Sequence, residues 1–213
     1  MPSPTSVRIL AAVFCAPALV AAALPGAQRK PQTAFSMVDA DRFERKLLTI
    51  AQNGTLPSVP ASLSRASQRT AVTEAELNAY LRLKAQAQIP PGVVDPYVWA
   101  QSSGRLSGAA TVDLDVVRDS HTRGWLDPIR YLRGRLLVRA TGVLSTSEGV
   151  GRFELESVTV GGLPVQRSVL RELVSYYSRT AASPAGIDMD APFALPAAIR
   201  QIDVLPGRAV IIQ

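Results

Sequence analysis

Cysteine is almost missing from this chain. Cys15 is the only one in 213 residues, and it lies inside an apolar N-terminal leader. A cut at the end of that leader leaves no thiol at all. That excludes disulfide staples, thiolate nucleophiles and cysteine-based zinc sites, and it suits an oxidising compartment where a stray thiol is a liability. Histidine is as scarce. His121 stands alone among polar residues and arginine, and no Gly-x-Ser-x-Gly elbow accompanies it, so it reads as a solvated loop residue rather than a triad base. Lysine occurs only at positions 30, 46 and 84. No basic block is interleaved with aromatics, so nucleic acid is not an expected partner. There is no glycine-rich phosphate loop and no internal repeat.

What is present begins with that leader. Arg8 is followed by apolar Ile9 to Val20, then by Ala21-Ala22-Ala23, the pattern of a secretory signal peptide. Residues 1–23 are read as the signal, with cleavage after Ala23 or, alternatively, after Ala27. An uncleaved anchor competes, but the apolar run is shorter than the roughly 20 residues of a spanning helix. Phe14 stands where a lipobox needs a small residue, which argues against lipidation at Cys15. The expected destination is the periplasm or cell envelope. Residues 24–38 form a polar tether, and residues 39–213 a single domain. About 190 residues remain (213 minus 23), enough to bury roughly 70% of the unfolded surface without staples. Without Arg8 the chain has 22 basic and 17 acidic residues, a net of +5. Its cations are mostly arginine, which favours carboxylate or phosphate partners. Anionic lipid head groups and a membrane surface therefore stay possible, though genomic composition is the plainer account.

Periodicity then sets the elements. Asp39-Ala40-Asp41 opens a helix that stops at Asn53-Gly54, and the end of 62–71 offers a short edge strand. Thr73 can cap a second helix whose Glu76 reaches back to the cap, with Leu77, Tyr80, Leu81 and Lys84 forming its stripe. Asn78 sits at the edge of that stripe, placed to bond a strand backbone or to face water. From Val93 the period becomes two. Leu106, Gly108, Ala110, Val112, Leu114 and Val116 alternate as one long strand with a wet opposite face. Arg135 to Leu144 and Gly151 to Val160 follow, with a bulge expected near Glu156-Ser157. Leu163-Pro164-Val165 leads into a further strong helix with Val169, Leu170, Leu173, Val174 and Tyr177. A terminal hairpin turns at Pro206-Gly207. The fold class is α+β: a long, curved antiparallel sheet wrapped around two main amphipathic helices, with a further N-terminal helix.

No constellation carries chemistry. Asp113-x-Asp115 and Asp188-x-Asp190 lack calcium-loop spacing, and they read as a wet strand face and a turn. Glu154 and Glu156 share a strand face as a glycosidase pair does, but pairing with Arg139 or Arg152 is the simpler role. The chain is not expected to be an enzyme or to hold a metal or cofactor. What remains is shape. A curved sheet over helices can enclose an apolar groove, and its candidate lining is Leu77, Tyr80, Leu81, Val112, Leu114, Leu136, Val138, Phe153, Leu155, Leu170 and Leu173. If those side chains fill the interior instead, the chain is an envelope scaffold or interaction module.

The exported leader and the Val72-Thr73-Glu74-Ala75-Glu76-Leu77-Asn78-Ala79-Tyr80-Leu81 helix resemble small bacterial envelope proteins of the tubular lipid-binding (TULIP-like) group, the YceB-type lipoproteins among them. Gly161-Gly162-Leu163-Pro164-Val165 is similar to the opening of the second helix in such proteins. The resemblance implies a curved sheet on a long helix and a lipid or other apolar ligand along the groove. It implies no catalytic residues. The chain departs from the lipoprotein pattern at Phe14-Cys15.

Overall fold

The computed structural model describes residues 35–55, 67–120, 133–178, 184–186 and 188–213, without the side chains at 118–120, 173 and 177. The leader, most of the tether, His121 and Trp125 lie outside these residues. The described chain is α+β, with a large antiparallel sheet and a few helices.

Helix α1 (Met37–Thr55) starts two residues before the expected Asp39 and buries Ala40, Phe43, Leu47, Ile50 and Ala51. Strand β1 (Arg69–Thr73) runs directly into α2 (Glu74–Leu83). Thr73 closes a full capping box. Its hydroxyl accepts from the Glu76 N–H at 3.2 Å, and its own N–H donates to Glu76 Oε2 at 3.0 Å. Strands β2 (Val93–Ala100), β3 (Arg105–Asp113), β4 (Arg135–Ser147) and β5 (Val150–Val160) then form an antiparallel meander. Two short strands, β6 (Leu163–Pro164) and β7 (Phe193–Ala194), pair with β5. The terminal hairpin, β8 (Gln201–Leu205) and β9 (Arg208–Ile212), joins β1 in a separate three-stranded sheet ordered β1-β9-β8. The strands thus divide into two sheets.

Cross-strand register places side chains on faces. Leu106, Gly142 and Leu155 form one row, Gly108, Ala140 and Val158 the next, then Ala110, Val138 and Val160. This apolar face meets the helices. The expected bulge is present: Thr141 pairs with Ser157 and Gly142 with Leu155, leaving Glu156 as the extra residue. It absorbs the change of phase between Leu155 and Val158.

Three expectations need correction. The strand beginning at Leu106 stops at Asp113, because Asp113 Oδ1 accepts from the Asp115 and Val116 amides and so caps helix α3 (Leu114–Ser120). A local side-chain cap overrides strand alternation there, and Leu114 and Val116 leave the sheet face. That strand is also buried on both faces from Leu106 to Ala110. Ser107 on the expected wet face is tied to Gln101 at 2.9 Å and to Thr141 at 3.0 Å. Finally, Pro164 does not begin a helix. Gly161 and Gly162 adopt φ of 60° and 87°, the two-residue hairpin geometry that glycine permits, so Leu163-Pro164 turns back on β5. The next helix, α4 (Arg167–Tyr177), starts three residues later.

Candidate functional site

The Thr73–Leu81 stretch is a set of stitches that closes open strand edges. An edge strand presents unpaired N–H and C=O groups, and Glu74, Glu76 and Asn78 of this motif answer them. Asn78 is 1% exposed. Its amide donates to the Val98 carbonyl at 2.8 Å and accepts from the Val98 N–H at 2.7 Å. Glu74 Oε1 accepts from the Ala100 N–H at 2.6 Å, and the Gly207 N–H supplies the Ala100 carbonyl at 2.9 Å. The outer edge of β2 is therefore paired at Val98 and Ala100, by two side chains and one backbone amide. On β1, Lys46 donates to the Ala71 carbonyl at 2.6 Å while Glu76 holds the Thr73 N–H. Thr146 treats β8 in the same way: its hydroxyl donates to the Ile202 carbonyl and accepts from the Ile202 N–H.

Lys46 also bonds both Glu76 oxygens, at 2.8 and 2.7 Å. Burial pushes the Glu76 carboxyl up, yet the hydrogen bonds from Lys46 and Thr73 outweigh it and hold the group below its ordinary value. Lys84 reaches Asp41 and Glu44 on α1, each at 2.5 Å, which raises its pKa. These contacts lock α1, α2 and the small sheet together.

Two apolar clusters lie behind this frame. The principal core joins α1 and α2 to the three-stranded sheet and takes in Leu77, Tyr80 and Leu81. A second cluster lies where α4 meets the large sheet: Val138, Ala140, Leu155, Val158 and Leu170, with Val112 and Val174 packed against it. Phe153 touches both. Of the expected lining, Leu77, Tyr80 and Leu81 belong to the first cluster, and Val112, Val138, Leu155 and Leu170 to the second. Leu114 is buried at the start of α3 and Leu136 is half-buried. The Leu173 side chain lies outside the described residues.

Part of the sheet face is filled by aromatic rings. A Cβ built at Gly142 would meet Phe153 Cζ at 2.5 Å, and one at Gly151 would meet Phe193 Cζ at 2.7 Å. Two surface depressions flank the core. One, of about 330 Å³, lies among Leu81, Arg82, Ile89 and the start of β2; the other, of about 470 Å³, lies between β4 and β8. In the first, Arg82 pairs with Asp95 and stands 4.9 Å over the Phe35 ring.

Helix α4 is held differently from α2. Its N-cap, Gln166, makes no side-chain bond, and the helix has no acid in its first turn and no base in its last. Leu170 and Val174 seat it on the sheet, beside half-buried Met189. Arg167 and Arg171 each donate to Asp190, to Oδ1 and Oδ2 respectively, at 2.6 Å. The Arg167 bond keeps the Asp190 carboxyl below its usual range, and Arg171 helps it to outweigh the opposing effect of burial. Sequence reading took Asp188-Met189-Asp190 as a turn. The Asp188 carboxylate does accept from the Asp190 N–H at 2.9 Å, but the grouping with Arg167 and Arg171 was missed. Their four-residue spacing was the available signal.

Glu156, Asp113 and Asp115 have structural partners. Glu156 is gripped by Arg105 through two bonds at 2.9 and 2.8 Å, not by Arg139 or Arg152. The Arg105 hydrogen bond lowers its pKa, the opposite of what a glycosidase acid needs. Asp113 bonds Arg135 at 2.9 Å besides capping α3, and Asp115 accepts from the Gly134 N–H. Among the described residues there is no group of three or more potential metal ligands, and no helix long and apolar enough to cross a membrane.

No family model matches the chain, and no curated protein does. Among solved structures it is similar to one described as the crystal structure of lipopolysaccharide binding protein, at a TM-score of 0.21 and 14% identity. That match covers 68% of this chain and spans 40% of the other. A superposition at that score carries no argument about function.

Proposed function

We propose that this is an exported, non-catalytic envelope protein that binds or carries a lipid or other apolar molecule between α4 and the large sheet, in the manner of the TULIP-like and YceB-type proteins. The observation that carries the reading is the second apolar cluster. It is distinct from the principal core, joined to it through Phe153, and roofed by a helix with no side-chain cap. Displacing that helix exposes Val112, Val138, Ala140, Leu155 and Val158 while leaving the stitched frame of α1, α2 and the small sheet in place. Apolar surface released in this way is what an acyl chain covers, at roughly 0.8 kcal/mol per buried methylene. Titration with a fluorescent fatty acid and a fluorescent phospholipid tests it: saturable uptake, weakened by Val138→Asp or Leu155→Asp, is expected. No uptake by the folded protein refutes it.

A filled-core scaffold or interaction module is the second reading. The rings of Phe153 and Phe193 over Gly142 and Gly151 favour it, because they occupy the sheet face toward the principal core. A structure of the protein soaked with fatty acid separates the two readings by whether α4 moves.

A further inference from the structure

Beside α4 the chain brings an apolar group and an anionic group together on consecutive residues. Met189 packs against the second apolar cluster, and the Asp190 carboxylate sits between Arg167 and Arg171 at 2.6 Å from each. The two arginine side chains come from one helix face and remain half-exposed, 46% and 54%. They can be reached from solvent without unfolding anything. A fork of this kind grips any group with two anionic oxygens, phosphate as readily as carboxylate. We infer that Met189-Asp190 is a resident surrogate for an anionic amphiphile, and that such a ligand binds by replacing it. The ligand's phosphate or carboxylate takes the place of Asp190 on Arg167 and Arg171, and the start of its acyl chain takes that of Met189.

This rests on the reading of α4 as the roof of an apolar site, and it names the class of ligand: an acyl chain with an anionic head. The geometry also explains why both arginines share one carboxylate. Once Asp190 is displaced, two neighbouring cations face each other on α4, and an incoming anion relieves that repulsion. Because the surrogate competes with the ligand, apparent affinity is reduced by the fraction of protein in which Asp190 is seated. The charged groups around the site are Arg167, Arg171 and Glu172 on α4, with Asp188 and Asp190 on the facing segment.

The test compares dodecyl phosphate with dodecyl maltoside, both below micelle formation, on the full chain and two variants. The expected result is a preference for the anionic amphiphile of about tenfold or more, as two charge-assisted bonds supply. Arg167→Gln/Arg171→Gln removes that preference, so that the two amphiphiles bind alike, while Asp190→Asn tightens dodecyl phosphate by about threefold or more. Hydrogen exchange gives an independent readout: Asp190→Asn speeds exchange in 167–178 and leaves the β8–β9 hairpin unchanged. Equal binding of the two amphiphiles overturns the head-group assignment while sparing the apolar site. So does an Asp190→Asn variant with unaltered affinity. If inorganic phosphate alone alters exchange in α4 as dodecyl phosphate does, the arginines serve small anions and the inference also fails. No binding of either amphiphile removes the apolar site itself.

Discussion

Replacing Asn78 by alanine removes both partners of one residue of an edge strand. Val98 then keeps an N–H and a C=O that point away from β3, at a position only 3% exposed, where water does not easily substitute. An unsatisfied buried backbone group costs about 1–3 kcal/mol, and the lost side-chain atoms add a small cavity. The expected loss is about 3–5 kcal/mol, a large share of the 5–15 kcal/mol by which domains are stable. At an m of about 2 kcal/mol/M in urea, the midpoint falls by roughly 1.5–2.5 M. Asn78→Asp is the companion variant. It keeps the acceptor for the Val98 N–H but loses the donor and buries a charge, so it also destabilises, and it does so more at neutral than at acid pH. Hydrogen exchange should locate the effect, with the amides of Val98 and Ala100 losing protection first. A loss below about 1 kcal/mol for Asn78→Ala, with β2 protection intact, refutes the stitch as a source of stability.

Four further outcomes follow from the same geometry. Thr73→Ala should cost about 1 kcal/mol through the lost cap, measured by chemical unfolding. Lys46→Ala should cost about 3 kcal/mol, because it leaves the buried Glu76 carboxylate with only the Thr73 N–H and the more distant Arg42 at 3.9 Å. Glu76 titrates below its ordinary value of 4.5 in the folded chain, so its contribution is present above the unfolded value and lost as pH falls through the lower folded one. A Glu76→Gln variant should flatten that part of the acid unfolding curve. At Gly142, alanine would collide with the Phe153 ring and with the Glu154 carbonyl, 2.6 Å from the new Cβ. Phe153→Leu should therefore restore only part of the stability lost, since the carbonyl cannot move aside.

The helices and the meander were legible in the sequence because their periods are local. Thr73 and Glu76 announced their capping box three residues apart, and the bulge at Glu156 showed as a slip in alternation. Asn78 was legible as a residue at the edge of a stripe, but its partner is 20 residues away on a strand whose edge only tertiary structure defines. The end of β3 was misread because Asp113 looks like an outward strand residue until its carboxylate bonds the next two amides. Among the groove residues, sequence spacing grouped side chains by hydrophobicity alone. The structure sorts them into two cores, placing Leu77 and Leu81 in the one shared by α1, α2 and the small sheet, and Val138 and Leu155 in the one beside α4. Nothing in the local pattern of Asp190 pointed to Arg167 and Arg171, because it lies 23 and 19 residues beyond them in the chain.

The central question is whether an apolar molecule can seat between α4 and the large sheet. Native mass spectrometry of the full-length protein, purified from its own host without detergent, addresses this directly. The account predicts a mass above that of the polypeptide by a lipid-sized increment, lost on Leu155→Asp substitution. A single ligand-free mass for the folded protein, unchanged after incubation with fatty acid and phospholipid, contradicts it.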